Sequence, residues 1–515
     1  MPSMRLSALS FSKRFAMPDP ADSHVTATKS AVFIGIHLAS QQVNVSVVTE
    51  HGELLAETSA VYSPSVPVHP KGYLEQNPEV WWNATRIALG QMMSKVRSLV
   101  TSPSQLKAVS VCGQPGILLT MDRSGKVLLP AMLADDARAA DSLPSLNYQG
   151  QEHCRRRGYP FRATDALAKI CWIKENLPEV YENALFMHQT DYIIGMLKGE
   201  PDVTEFSIAA NTGCDLIDEC WPDWLDYDMH LGVRERLPRL VALGTPVGTV
   251  SQKTSMATGL PAGMTVVMGT ASATAAFLAA GTKRLGDFYT EIDDQLLIRG
   301  MSRRLIHYPN GMVRMFKLPN HIWFFSTESQ TGGEWTKVWF DPSLFNSLSV
   351  EAAEILPTQY LAYPNVRKGE SFPFCSTSAE GFITPATDNR VSQFASCLQG
   401  TAFFERLCYD HLKKMAEVES DGDIYSGGPW CRHDTWMQCR ADATGRVNRR
   451  MGSACSASFG AAMMAAIGAY FNGIEEAVSA MIHEEQVYFP NPQRTGVYED
   501  LYGNFKTLIE NQGFI

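Results

Sequence analysis

Several groupings of side chains in this chain could act on a small polar ligand. Asp135-Asp136-Ala137-Arg138 sets two carboxylates beside a guanidinium. Such a set suits a polyol, because carboxylates accept and arginine donates in fixed directions. An ion pair at the surface would give the same pattern. Asp423-Ile424-Tyr425-Ser426 runs into Gly427-Gly428, so a strand breaks at a glycine pair. That break lets a ligand approach the backbone, or makes an ordinary turn. Val266 to Ala271 reads as a buried strand that turns at Ser272 into a helix, where a serine hydroxyl serves well as an N-cap. His37 closes the apolar run Ala31 to Ile36, and a lone histidine there packs, hydrogen-bonds or holds a transition metal. Glu291-Ile292-Asp293-Asp294 reads as a solvated acidic turn.

The elements that must carry these residues follow from periodicity. Ala31 to Ile36 and Val43 to Val48 are β-rich runs, and Glu50-His51-Gly52-Glu53 turns the chain before Leu54-Leu55-Ala56, which predicts a hairpin or meander. Asn77-Pro78-Glu79 caps a predicted helix with Trp81, Trp82, Ile87, Ala88 and Met92 on its buried face. Leu106 to Val111 is the next strand, ending at Gly113-Gln114-Pro115-Gly116. Strands and helices alternate through Gly281, the pattern of an α/β layered domain whose ligand sits at the carboxyl ends of a central sheet. In the second half, Phe288 to Ile298 and Trp323 to Ser326 read as strands, and Val391 to Met415 and Ala457 to Phe471 as helices.

Size and composition bound the rest. At 515 residues and 45% hydrophobic, the chain predicts two domains of roughly 250 residues each. The charge is 44 − 54 = −10, and the one basic run is Arg155-Arg156-Arg157, which argues against nucleic acid as a partner. Eleven cysteines, Cys112, Cys154, Cys171, Cys214, Cys375 and Cys455 among them, form no Cys-x-x-Cys pair, and His153 and His433 stand near single cysteines only. Reduced thiols in the cytoplasm are the expectation. The apolar run from Phe459 to Tyr470 is too short for a bilayer, so no membrane partner is expected. Residues 1–29 are Ser/Ala-rich, with Arg5, Lys13 and Arg14, and read as a disordered tail; a transit peptide, or a start at Met17, would account for them as well.

The order of these landmarks resembles the FGGY carbohydrate kinases from about residue 31 to about residue 510, and the xylulokinase-like members above all. Ile34 to Gln41 sits where that family has Ile-Gly-Ile-Asp-Leu-Gly-Thr-Ser, and Glu75 to Trp82 is similar to its Glu-Gln-Asp-Pro-x-x-Trp-Trp. Lys169 to Asn176, Asp191 to Glu200, and Ser426 to Pro429 with Trp436, Gln438, Ala441, Asp442 and Gly445 match further segments. The resemblance implies two actin-like (ribonuclease H-like) ATPase domains around a central cleft, residues 30–280 on the sugar side and 281–515 on the nucleotide side. It also implies MgATP as cofactor and phosphoryl transfer to a sugar such as a pentulose. Gln114, Asp135, Asp136 and Arg138 would face the sugar, and Ser40, Asp293, Asp294, Gly427 and Gly428 the nucleotide.

Three departures fall in that cleft. The family's general base, an aspartate, is replaced by Ser272, and losing a general base costs about 10²–10⁴-fold in rate. The family's magnesium aspartate is replaced by His37, which removes both a charge and a hard oxygen donor. The family's Ser-Leu-Gly-Thr-Ser-Gly phosphate stretch is replaced by Glu291 to Leu296. There each carboxylate would repel each phosphate charge by roughly 3 kcal/mol at about 5 Å and an effective dielectric of about 20. Ala39 and Ala271 stand where the family has glycines. On the sugar side, Pro115-Gly116 and Ala134 replace a methionine, a histidine and an aromatic residue.

Three coincident losses favour a catalytically impaired homologue or pseudokinase that keeps a small-molecule sugar or polyol as ligand. The alternative is an active kinase with a relocated base, Asp136 or another carboxylate, and a metal held by His37 with Asp293 or Asp294. A new divalent-cation site of His37, Asp293 and Asp294 is a third expectation, and a homodimer remains open.

Overall fold

The computed structural model describes residues 28–62, 66–68, 72–308, 311–418, 421–452 and 456–514. The expected tail before Thr28, and Cys455, lie outside the described residues.

Two large sheets share one plan. In the first, the order is Pro246–Thr249, Thr265–Ala271, Leu106–Gly113, Val32–Leu38, Gln42–Thr49, Leu54–Val61. Val32–Leu38 opens an antiparallel meander, and it pairs in parallel with Leu106–Gly113, which pairs in parallel with Thr265–Ala271. The second sheet runs Val313–Lys317, Trp323–Ser329, Leu296–Ser302, Phe288–Ile292, Ile424–Gly427, Asn448–Met451, Glu484–Tyr488. Again a meander (Phe288–Ile292, Leu296–Ser302, Trp323–Ser329) is followed by two parallel strands and an antiparallel edge. Parallel strands covered on both faces need continuous apolar runs. Val32–Leu38 fits, since every residue but His37 is buried.

The predicted elements differ from the observed ones in four places. The run Phe288 to Ile298 is two strands hinged at Asp293-Asp294-Gln295. The first long helix spans Glu79–Leu99; Trp81, Ala88 and Met92 are buried in it, but Ile87 is 49% exposed. The last apolar helix stops at Ala469, two residues short of Phe471. Ser272 does not cap the helix it begins: the helix is Ser272–Ala279 and Ala271 occupies the cap position.

The two sheets are joined by close helix packing. The helix Ala457–Ala469 lies on the parallel strands of the first sheet and against the helix Ser272–Ala279. Small residues make this approach feasible. A Cβ on Gly460 would stand 1.9 Å from the Ala275 carbonyl oxygen, and one on Gly35 would stand 1.9 Å from that of Ser458.

Candidate functional site

Strand register gathers the first group of expected residues. Ala271 pairs with Gly113, and Cys112 with His37, so Ser272 and Gln114 follow one paired position, and His37 stands two residues short of that level, all near the carboxyl ends of three parallel strands. A ligand cleft is expected at that edge. His37 is held neutral, its pKa pushed down to about 4 by burial. The Ser272 hydroxyl is buried without a well-formed hydrogen bond among the described residues. The Cys112 thiol stands against it, its own pKa pushed far up by burial. Gln114 is exposed, as is Ser40 in the tight turn where Ala39 N–H donates to the Gln42 carbonyl.

The Asp135–Arg138 segment divides. Asp135 is exposed, whereas Asp136 is fully buried. Asp136 accepts from Leu74 N–H at 2.7 Å, from Arg138 N–H at 3.1 Å, and from the Arg138 guanidinium at 2.6 to 3.1 Å. Arg138 also reaches Glu75 Oε1 at 2.7 Å and lies 3.9 Å over the Tyr73 ring. These groups fill one another's valences, which leaves Asp136 without a lone pair free to serve as a base.

Two buried carboxyls lie beneath the same edge. Asp191 accepts from His188 N–H at 3.0 Å, and burial raises its pKa to about 8. Glu205 accepts from Ser207 and Ile208 N–H and, at 2.8 Å, from the hydroxyl of Thr270, two residues before Ser272. Burial lifts its pKa to about 7.

The nucleotide-side residues meet at the carboxyl ends of Phe288–Ile292 and Ile424–Gly427 in the second sheet, yet protein fills the space the glycines leave. A Cβ on Gly427 would meet the Tyr289 hydroxyl at 2.1 Å, and one on Gly428 (φ +88°) the Ile292 carbonyl at 2.5 Å and Glu291 Cγ at 3.1 Å. The acidic turn is not simply solvated. Asp294 holds Lys337 at 2.6 Å, and the Asp293 carbonyl accepts from Gly333 N–H at 2.7 Å. Among the described residues no group of three or more His, Cys, Asp or Glu side chains is placed to hold a metal ion. His37 therefore shares no such group with Asp293 and Asp294.

One polar cavity of about 280 Å³ opens beyond Gln114, between residues 115–211 and 311–316. Asp135 is the only expected site residue that lines it. Arg157, Arg162, Asp165, Asn211 and Arg314 line it too, and sequence reasoning missed all five. The available signal was the run Arg155-Arg156-Arg157. Successive helical residues point about 100° apart, so Arg155 pairs outward with Glu152, Arg156 with Asp215 and Asp218, and Arg157 turns inward. Behind the floor, buried Lys169 donates to the Gly116 and Leu133 carbonyls at 2.8 and 2.6 Å, and burial lowers its pKa to about 8.

Among the described residues no helix is long and apolar enough to cross a membrane. The family model for the N-terminal domain of the FGGY family of carbohydrate kinases matches residues 32–279, and that for its C-terminal domain residues 310–469. The chain is 25% identical to the xylulose kinase of Bacillus subtilis over 495 residues, covering 92% of this chain and 96% of that protein. It is 24% identical to the xylulose kinase of Escherichia coli, covering 93% and 99%. Its fold matches the crystal structure of xylulose kinase from Rhodospirillum rubrum with a TM-score of 0.75 at 22% identity, over 93% of this chain and 98% of that one. It also matches Plasmodium falciparum glycerol kinase with ADP, with a TM-score of 0.73 at 16% identity over 92% and 97%. With both family domains matched in order and two actin-like sheets to carry them, the chain belongs to the FGGY family of carbohydrate kinases, as a xylulokinase-like member.

Proposed function

We propose that this protein is a carbohydrate-kinase homologue that keeps a small-sugar site and has lost efficient phosphoryl transfer. The observation that carries this reading is the set of Ser272, Gln114 and His37 near the ends of three adjacent parallel strands, which offers a hydroxyl, an amide and a neutral imidazole where proton abstraction and metal binding need carboxylates.

MgATP, the family's cofactor, is poorly matched by the residues present. Tyr289 and Ile292 occupy the space beside Gly427 and Gly428. Glu291 and Asp293 add carboxylates where phosphates would need donors, and only Asp294 is offset by a lysine. Phosphoryl transfer depends on positioning and neutralising the transferred group, and these residues supply neither.

A second reading, an active kinase with a relocated base, draws on Glu205. Its pKa near 7 suits proton transfer, and it bonds Thr270 beside the Ser272 turn. Against it, both its oxygens are already engaged in capping the Phe206–Ala209 helix.

Calorimetric titration with MgATP and with ADP, paired with a coupled kinase assay over pentuloses, hexuloses and polyols, decides between the two readings. Weak or absent nucleotide binding and no turnover is the expected result. Turnover on any sugar, lost in Glu205→Gln, would establish the second reading and end the first.

A further inference from the structure

The cavity beyond Gln114 carries a charge pattern unlike the rest of the chain. In a protein of net charge −10, three guanidiniums, those of Arg157, Arg162 and Arg314, line one space of about 280 Å³ against the carboxylates of Asp135 and Asp165. Asp165 is already committed, accepting from Arg157 at 3.2 Å and from Arg162 N–H at 3.1 Å.

The arginines are not similarly satisfied. Arg157 is fixed by stacking, its guanidinium carbon 4.0 Å from the Tyr159 ring centre and 4.2 Å from that of Phe161, yet its Nε and Nη1 are buried with no hydrogen-bond acceptor among the described residues. Arg162 and Arg314 are exposed, and their guanidiniums have no ion-pair or hydrogen-bond partner among the described residues, which leaves them open to a ligand. Arg162 lies against Gly311, where a Cβ would come within 3.2 Å of its Nη2, so it reaches across to the segment that bears Arg314. A buried arginine nitrogen without an acceptor is costly, and a planar guanidinium fork matches a carboxylate or a phosphate. Asn211, Asp135 and the Gly116 backbone supply groups suited to hydroxyls in the same space. The volume lies just under the roughly 300–1,000 Å³ of drug-sized sites, which fits a five- or six-carbon chain.

We infer that this cavity takes a small polyhydroxylated anion, its hydroxyls toward Asp135 and Asn211 and its carboxylate or phosphate between Arg157, Arg162 and Arg314. The inference rests on the reading that the protein keeps a sugar site, and it replaces a neutral sugar with an acidic one.

The test is calorimetric titration of the full chain with D-xylonate and D-gluconate, with D-xylulose 5-phosphate, and with D-xylulose and xylitol as neutral counterparts. One anionic class should bind at least about ten-fold more tightly than the neutral compounds, and which class does so identifies the anion as carboxylate or phosphate. Arg314 is exposed, so Arg314→Gln should fold normally, weaken that anion about ten-fold or more, and leave the neutral sugars unchanged. Arg162→Gln should act alike. Neutral sugars binding as well as the anions would overturn this inference while leaving the retained sugar site standing. Anion binding indifferent to both substitutions, or no binding by any of the compounds to protein shown folded by its thermal transition, would also overturn it. MgATP-dependent turnover of a bound anion would instead refute the loss of catalysis and leave the anion site intact.

Discussion

Asp191→Asn gives a sharp test of the electrostatics under the cleft. In the native fold, Asp191 is buried with one backbone donor, His188 N–H, and burial moves its pKa from 3.8 to about 8. The sign follows from proton linkage: between about pH 4 and about pH 8 the folded state holds a proton that the unfolded chain has released, so stability falls as pH rises through that window and levels off above it. A span of about four pH units at roughly 1.4 kcal/mol per unit sets a ceiling of roughly 6 kcal/mol. Neighbouring Glu205, with its pKa near 7, contributes part of the repulsion, so the loss belonging to Asp191 alone is a few kcal/mol. Asparagine keeps the acceptor for His188 N–H and removes the titration. His188, held neutral by burial with a pKa of about 4, adds an opposite slope below about pH 6.5 in both proteins and cancels in the difference. Urea midpoints near pH 5 and near pH 9 should show the variant gaining a few kcal/mol on the wild type at the higher pH. If the two proteins lose stability in parallel, Asp191 is charged in the native state and the account of a neutral cleft floor is wrong.

Ser272→Asp would supply the base that the resemblance to the family places there, but His37 and the Glu291–Asp294 turn are untouched; a coupled assay should detect no turnover, and a gain of about 10²-fold or more would show that the base alone was missing. Gly460→Val would force side-chain atoms into the Ala275 carbonyl, so chemical denaturation should record a loss of about 1–3 kcal/mol or more. Glu405→Gln strands Arg440, which is 1% exposed and held at 2.5 and 2.7 Å; a loss of about 3–5 kcal/mol is expected, and a loss under about 1 kcal/mol would show the pair to be dispensable. Lys169→Met removes the amine that ties the Gly116 and Leu133 carbonyls, and should cost about 1–3 kcal/mol together with anion affinity at the neighbouring cavity.

The elements were legible in the sequence wherever they depend on near neighbours. β-rich apolar runs marked the meander from Ala31, and the strand-to-helix turn at Ser272 fell where the structure puts it. What sequence could not supply was which group a side chain would meet across the fold. Asp136 and Arg138 read as a polyol-binding set, but Leu74 N–H and Glu75 reach them from over 60 residues away. Gly427 and Gly428 read as room for a ligand, but Tyr289 and Ile292 come to them through a parallel strand pairing. Arg162 and Arg314 carried no signal at all, because each is a lone arginine until the chain brings residues 311–316 against 157–165.

The duplicated sheet plan makes these departures more than independent drift. In each half, the strand that opens the meander ends in a turn, Leu38 to Gln42 in the first and Ile292 to Leu296 in the second, and on the proposed reading these are the turns that no longer serve phosphate. The first carries Ala39, just past His37 in its strand, and the second carries Asp293 and Asp294. The parallel neighbours of those strands end at Gly113 and at Gly427. The proposed losses therefore lie on corresponding edges of two sheets of like plan. The arginines lie off those edges, at the end of the helix Gln151–Arg157, in the loop after it, and on the outer strand Val313–Lys317. On the proposed reading, the guanidiniums of Arg157, Arg162 and Arg314, beside Gly116 and Asp135, would serve the acceptor and not the transferred phosphate.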